Sequence, residues 1–214
     1  YIRQAARQRE LIYTLAVQDF KSRYVGTFGG FLWAVNQPAA IVAVFYFVFA
    51  VGFRAKGPTD APFVLWFVCG LAPWFFFNET LPAIANSITG KSHLIKKTAF
   101  PSEILPFSCV CTGIFAHVAF MGISVVMMVG FGVSLGLERL LVVYFVLCNI
   151  TLLLGLGWLC AALQVFYRDV GQALGVLLNL WFWATPVVWP QNIMPEKYQA
   201  VFAYNPMFYI IEGY

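Results

Sequence analysis

The chain has 214 residues, of which 61% are hydrophobic and only 10% are charged, and its mean hydropathy is +0.79. Soluble domains are about 45–50% apolar and about 25% charged, so this composition excludes a water-soluble core as the main architecture. The formal net charge is +4, and the basic residues lie in short connecting segments. They do not form one basic face, which excludes the footprint of a nucleic-acid-binding protein.

The first predicted element is an amphipathic helix over residues 1–24, lying in the inner membrane interface. Polar side chains recur every three or four positions, at Arg3, Arg7, Glu10, Thr14, Gln18 and Lys21. Apolar side chains form a stripe, at Leu11, Ile12, Leu15, Ala16 and Phe20. The helix is either a simple anchor or a contact surface for a cytoplasmic partner. Its charges exclude the apolar core of a secretory signal peptide.

Residues 25–189 contain five apolar segments that approach or exceed the roughly 20 residues needed to span a bilayer. They cover about 30–53, 62–88, 104–134, 140–166 and 171–189. The run from Ala39 to Phe49 is apolar at odd and even positions alike, which excludes the alternation of a membrane β-strand. The predicted fold is therefore an all-α membrane protein, a polytopic helical bundle with five visible spans.

The distribution of Lys and Arg predicts the orientation of the bundle. Nine of the 13 basic residues fall on the side of the N-terminus, namely Arg3, Arg7, Arg9, Lys21, Arg23, Lys91, Lys96, Lys97 and Arg168. The N-terminus is therefore predicted to be cytoplasmic. Five spans would leave the C-terminal segment outside, where it stops after an aromatic stretch, so we expect a sixth span that is missing from this sequence.

The most polar internal stretch is the predicted cytoplasmic loop 87–103. Leu94 and Ile95 lie there among cationic side chains, which suits a short helix that docks into a groove of another protein. The alternative is an ordinary Lys-rich cytoplasmic loop. Residues 85–92 resemble a relaxed P-loop, but they follow an apolar span and hold one glycine, so they indicate a polar turn and not a nucleotide site.

Residues 190–214 predict two short, aromatic-rich, re-entrant helices near the outer leaflet. Asn205 is a favourable N-cap with Pro206 at the first helical position, and Pro195 before Glu196 offers a second helix start. The segment is either a membrane-surface loop with aromatic anchors or a lid over a pore.

Ionisable residues inside the predicted spans are few. Glu79 falls about 16 residues, or roughly 24 Å, into its span, which places a partly solvated carboxylate close to the inner interface. The lone His117 is more readily interpreted as a packing residue than as a proton relay. The five cysteines are scattered without a C-x-x-C pair and predict core residues, with no metal site. No catalytic arrangement of side chains is recognisable, so we expect no catalytic residues and no enzyme.

Aromatic side chains are dense in and beside the spans. They fit either interfacial belts or the wall of a conduit, since aromatic rings stack on the C–H faces of sugars without charge. The candidates for lining a channel are Phe31, Trp33, Trp74, Phe75, Phe76, Trp181 and Trp183.

An ordered set of motifs resembles the permease subunits of polysaccharide-exporting ABC transporters, the type that moves lipid-linked O-antigen, teichoic acid or capsule chains. The motifs are Asp19-Phe-Lys-Ser-Arg-Tyr24, Gly30-Phe-Leu-Trp-Ala-Val-Asn-Gln-Pro38, Gly70-Leu-Ala-Pro-Trp-Phe-Phe-Phe77, His93-Leu-Ile-Lys-Lys97, Phe100-Pro101, Glu103-Ile-Leu-Pro106, Phe166-Tyr-Arg-Asp-Val170, Thr185-Pro-Val-Val188, Met194-Pro-Glu-Lys-Tyr198 and Asn205-Pro206. They recur in order across nearly the whole chain.

The resemblance implies a multi-pass protein of the cytoplasmic (inner) membrane with six spans per subunit and a homodimeric channel for lipid-linked polysaccharide. It also implies a separate cytoplasmic ATPase subunit that binds ATP and Mg²⁺, so that this chain carries no cofactor. Membrane lipids and the glycan are then its other partners, and nucleic acid is not.

The resemblance further implies roles for two groups of residues. The ATPase contacts would be Asp19, Lys21, Arg23, Ser92, His93, Leu94, Ile95, Lys96 and Lys97. The extracytoplasmic gate would contain Pro195, Tyr198, Tyr204, Pro206 and Tyr209. The alternatives are a permease for drugs or small lipophiles, a membrane-embedded transferase, and a passive channel or scaffold.

Overall fold

The computed structural model describes residues 8–24, 32–53, 62–97, 100–133, 136–189, 194–195, 197 and 202–214, and all regular structure in these ranges is helical. The helices are α1 (Arg9–Tyr24), α2 (Leu32–Phe45), α3 (Phe63–Ala85), α4 (Ser87–Gly90), α5 (Ser92–Lys97), α6 (Leu105–Gly130), α7 (Leu141–Phe166), α8 (Val170–Ala184) and α9 (Pro206–Glu212). A π-helical segment, Tyr46–Gly52, continues α2. Short 3₁₀ turns precede three helices, at Ser102–Ile104, Leu137–Leu140 and Phe202–Tyr204. The all-helical prediction is confirmed for the described residues.

Among the described residues, three helices are long and apolar enough to cross a membrane: α3, α7, and α6 with its preceding 3₁₀ turn. They coincide with three of the five predicted spans, so the chain is a multi-pass membrane protein. Two shorter apolar helices, Pro38–Gly52 and α8, occupy the other two segments. The 15 residues of α8 extend about 22 Å, less than the roughly 30 Å of a hydrocarbon core. The first, fifth and sixth predicted spans stay predictions.

The centre of the bundle is α3. It is buried along nearly its whole length, including Phe67, Phe77 and Leu81, and packs against α6, α7, α8 and α9. By contrast, α7 leaves most of its surface uncovered and exposes apolar side chains such as Val143 and Leu147. Both helices are apolar all round, so position in the bundle decides which one is enclosed by protein and which one leaves its surface exposed.

Small residues allow the neighbouring helices to approach α3 closely. A Cβ atom added at Gly157 of α7 would lie 2.7 Å from Ile84 Cγ2, and one at Gly113 of α6 would lie 2.9 Å from Phe76 Cε2. The buried Asn149 of α7 adds a polar contact, because its Nδ2 donates to the carbonyl of Pro73 at 3.0 Å. Close packing and one interhelical hydrogen bond therefore hold α7 against α3.

Helix α1 packs along the first turns of α6. Ile12 and Leu15 are buried against Ile104, and the Thr112 hydroxyl donates to the carbonyl of Ala16 at 3.3 Å. A helix is thus present where the sequence predicts one, and the buried residues belong to its predicted apolar stripe. The position of α1 in the membrane interface stays a prediction.

The predicted start of α9 is confirmed. Asn205 Oδ1 accepts a hydrogen bond from the backbone N–H of Met207 at 3.1 Å, and Pro206 occupies the first helical position. Met207 and Ile210 are buried where α9 packs against α3 and α7. The other predicted short helix, beginning at Glu196, falls largely outside the described residues.

Candidate functional site

A cavity of about 610 Å³ opens between the C-terminal end of α1 and helices α2, α3 and α6. The rings of Trp33, Phe75, Phe76 and Phe120 line it, and we call this cavity the aromatic cleft. Trp33 is 52% exposed, and the ring centroids of Phe75 and Phe120 are 5.6 Å apart. Three of the aromatic residues predicted to line a conduit therefore lie at one place.

Two opposite charges face each other at the aromatic cleft. Arg23 Nη1 of α1 lies 4.0 Å from Glu79 Oε2 of α3, and the two side chains are 41% and 39% exposed. The partial exposure of Glu79 agrees with the prediction of a partly solvated carboxylate. Arg23, predicted as an ATPase contact, thus lies beside a cavity within the bundle. At this distance and exposure the pair contributes little to stability, about 0–1 kcal/mol.

His117 of α6 also lines the aromatic cleft. Its ring packs 4.9 Å from that of Phe76, and its Nε2 lies 3.0 Å from the hydroxyl of Tyr214. Burial raises the pKa of the Tyr214 hydroxyl above its ordinary value. The histidine is buried and joins α6 to the segment after α9, which agrees with its prediction as a packing residue.

The two predicted groups of ATPase contacts are connected by one ion pair. Lys91 Nζ, between α4 and α5, lies 2.5 Å from Asp19 Oδ2 on α1. Both side chains are mostly buried, so water screens this pair less than a surface pair. Asp19 belongs to the predicted contact set, whereas Lys91 does not. A pairing over 72 positions leaves no local signal in the sequence.

The remaining predicted ATPase contacts lie close to this ion pair. Ser92 and His93 are exposed at the start of α5, and Ile95 is half-buried. Lys21 is exposed on the last turn of α1. The backbones of Leu94, Lys96 and Lys97 complete α5, while their side chains fall outside what the structure describes.

A second polar contact connects this region to the turn between α7 and α8. Gln164 Nε2 of α7 donates to Asn86 Oδ1 at 3.2 Å and to the carbonyl of Arg168 at 3.3 Å. Asn86 directly precedes α4. Neither amide is predicted from the sequence, because an isolated Asn or Gln near a helix end carries no distinguishing pattern.

A hydrogen-bonded joint connects the end of α8 to the start of α9. Trp181 Nε1 donates to Asn205 Oδ1 at 2.9 Å, and Asn205 Nδ2 donates to Thr185 Oγ1 at 2.9 Å. The Thr185 hydroxyl in turn donates to the carbonyl of Trp181 at 2.7 Å. Asn205 therefore acts both as the cap of α9 and as the link to α8.

The other aromatic candidates occupy different environments. Trp74 is only 3% exposed, and its ring lies against those of Trp181 and Phe182, with centroids 6.5 and 5.4 Å away. Trp183 is 58% exposed on the outer face of α8. Trp74 and Trp181 thus fill the contact between α3 and α8 within one chain, whereas Trp183 offers a free face. Phe31 falls outside the described residues.

The predicted gate residues that the structure describes lie on the surface. Pro195, Pro206 and Tyr209 are exposed, and Tyr204 is 89% exposed. Tyr198 falls outside the described residues. Within the ranges that the structure describes, no three His, Cys, Asp or Glu side chains come together in a way that could hold a metal ion.

Comparison with known proteins places these features in a family. The model of the ABC-2 type transporter family matches residues 10–214. An O-antigen export system permease protein of Myxococcus xanthus is 31% identical over 215 aligned positions, covering 100% of this chain and 82% of the relative. A protein of the same description from Klebsiella pneumoniae is 25% identical, covering 92% and 76%.

A polysialic acid transport protein of Escherichia coli is 22% identical over 209 positions, covering 96% of this chain and 80% of the relative. The family model covers nearly the whole chain, including all the described helices that form the bundle, the aromatic cleft and the α8–α9 joint. The chain belongs to the ABC-2 type transporter family.

Proposed function

We propose that this chain is the membrane subunit of an ATP-driven exporter that moves a lipid-linked polysaccharide outward across the cytoplasmic membrane. The observation that carries the proposal is the similarity over the whole chain to an O-antigen export permease. The polysialic acid transport protein supports the same class of cargo. The chain itself is not an enzyme, and ATP and Mg²⁺ bind to a separate ATPase subunit.

The ATPase docks on the cytoplasmic side at α5 and the end of α1. The Asp19–Lys91 ion pair supports this assignment, since it joins the two predicted contact groups into one surface. Exposed Ser92 and His93 are accessible to a partner there. Closure of the ATPase dimer on ATP then moves α5 and α1 together.

Two copies of the chain enclose the channel. Exposed apolar and aromatic side chains on α2 and α8, such as Trp33 and Trp183, offer surfaces for its wall. The segment around α9, with exposed Tyr204 and Tyr209, closes the channel on the outer side. This arrangement keeps the N-terminus in the cytoplasm, as the distribution of Lys and Arg predicts.

The test is deletion of the gene from its host, followed by complementation. We expect the deletion strain to lose its surface polysaccharide and to accumulate the lipid-linked glycan inside, and the complemented strain to recover. Unchanged surface polysaccharide, combined with loss of resistance to lipophilic drugs, would instead identify a drug permease. Purification without any ATPase subunit would contradict the proposed partner.

The docking surface has a separate test in the same strain. Changing Leu94 and Ile95 to Asp places two charges on the proposed contact, and we expect loss of both export and ATPase co-purification. The control is Leu137→Asp, because Leu137 is 86% exposed in the loop before α7, at the other end of the bundle. Normal export by the double variant would contradict the docking assignment.

A further inference from the structure

The aromatic cleft offers both kinds of group that a sugar ring requires. Trp33, Phe75 and Phe120 present apolar rings to the C–H face of a sugar, while Arg23 and Glu79 present planar polar groups to its hydroxyls. The volume of about 610 Å³ falls within the range of small-molecule sites, about 300–1,000 Å³. The cleft therefore has room for at least one sugar ring.

The separation of the two charges matches a bridging hydroxyl group. The 4.0 Å between Arg23 Nη1 and Glu79 Oε2 exceeds the roughly 2.7–2.9 Å of a direct charge-assisted hydrogen bond. A guanidinium only donates and an ionised carboxylate only accepts, whereas a hydroxyl does both. A hydroxyl placed between them accepts from Arg23 and donates to Glu79.

The same two charges argue against other occupants. A lipid acyl chain would leave both charges facing hydrocarbon without a polar partner, which is unfavourable within a membrane. A phosphate group would be attracted to Arg23 but repelled by the carboxylate of Glu79 next to it. A neutral ligand with several hydroxyls avoids both penalties.

The position of the cleft suits a site for loading the cargo. Glu79 lies six residues before the end of α3, or about 9 Å along the helix axis. The Lys91–Asp19 pair and α5 follow directly. The cleft is thus on the side of the bundle where the proposed ATPase docks, which is the side where a glycan made in the cytoplasm arrives.

We infer that the aromatic cleft binds one sugar ring of the glycan before export. A ring hydroxyl bridges Arg23 and Glu79, and Trp33 stacks on the C–H face of the ring. The inference rests on the proposed function, because it takes the cargo to be a polysaccharide. Binding here places the sugar next to the helices that move when the ATPase closes.

The test uses the complete transporter, permease and ATPase together, reconstituted in lipid nanodiscs. ATP hydrolysis is measured against the concentration of two probes: a polyprenyl-diphosphate-linked oligosaccharide from the host, and the same polyprenyl diphosphate without sugar. The variants are Glu79→Gln, which removes the acceptor charge, and Ala116→Phe, which fills the cleft from α6. The matched controls are Glu103→Gln and Val118→Phe, whose side chains are exposed outside the cleft.

For both cleft variants we expect the half-maximal concentration of the glycan probe to rise about tenfold. The controls should behave as the unchanged protein. The half-maximal concentration of the sugar-free probe should be the same in all variants. Unaltered half-maximal concentrations in Glu79→Gln and Ala116→Phe would overturn the inference and leave the proposed function intact. An equal shift for both probes would overturn the sugar assignment in favour of the diphosphate.

Failure of the proposed function gives a different pattern. In that case the unchanged transporter responds no more strongly to the glycan probe than to the sugar-free one. Size-exclusion chromatography of each variant with its ATPase shows whether it assembles. If Ala116→Phe does not assemble, the nearly isosteric Glu79→Gln decides the result alone.

Discussion

Lys91 and Asp19 form an ion pair that holds the N-terminal helix against the turn between α4 and α5, with 2.5 Å between Nζ and Oδ2. Both regions were predicted to contact the same ATPase. This mostly buried contact joins the two regions into one surface.

The ion pair can be tested by exchanging its charges. Asp19→Lys places two ammonium groups together, so we expect α1 to separate from the turn and export to fall several-fold. The double variant Asp19→Lys, Lys91→Asp restores the attraction and should recover most of the export. Surface polysaccharide measures the effect, and a double-mutant cycle should give a coupling energy of about 1 kcal/mol. The control is Glu10→Lys, because Glu10 is exposed on α1. An equal loss of export in the single and double variants would contradict the prediction.

The contact between α7 and α3 depends on Gly157. In Gly157→Ala the new Cβ lies 2.7 Å from Ile84 Cγ2, and we expect destabilisation of about 1–3 kcal/mol because the helices must move apart. Thermal unfolding of the purified protein in detergent measures the change. Gly155→Ala on the same helix is the matched control, since nothing lies within 4 Å of its added Cβ. Equal stability of the two variants would show that the close approach is unimportant.

Asn205 fixes the joint between α8 and α9. Asn205→Ala removes the cap of α9 and leaves Trp181 Nε1 without its acceptor, so we expect a loss of about 1–3 kcal/mol of stability. Asn205→Asp keeps the acceptor oxygen and loses only the bond to Thr185, so it should be less destabilised. Thermal unfolding of both variants measures the two losses of stability. An Asn205→Ala protein as stable as the unchanged one would contradict the prediction.

The orientation can be tested by cysteine labelling. After replacement of the five native cysteines by alanine, Tyr204→Cys should react with a membrane-impermeant maleimide added from outside, because Tyr204 is 89% exposed on the proposed outer side. His93→Cys should react only after the cytoplasmic membrane is opened. The unmodified cysteine-free protein is the control for background labelling. The reverse pattern would place the N-terminus outside.

The sequence predicts those features of the fold that depend on local signals. The apolar runs of α3, α6 and α7 are long enough to identify each helix on its own. The start of α9 follows from Asn205 and Pro206, which act within one helical turn. These elements need no knowledge of their neighbours.

The features that the sequence does not predict depend on how helices are arranged around one another. Because α3 is apolar on all sides, its pattern gives no sign that Trp74 packs against α8 while Phe75 lines the aromatic cleft. The Arg23–Glu79 and Lys91–Asp19 pairs join positions far apart in the chain. Gly155 and Gly157 cannot be distinguished in the sequence, and only the structure shows that Ile84 lies next to Gly157.

The bond between Gln164 and Asn86 has a mechanical consequence. Gln164 of α7 donates both to Asn86, directly before α4, and to the carbonyl of Arg168, just before α8. Lys91, at the other end of α4, pairs with Asp19 of α1, so the short segment around α4 is connected to both α1 and the start of α8. Helix α8 is about 22 Å long, and the hydrogen bonds of Asn205 connect its other end to α9. Under the proposed function, a movement of α5 by the ATPase would therefore reach the proposed outer gate through these side-chain contacts and α8.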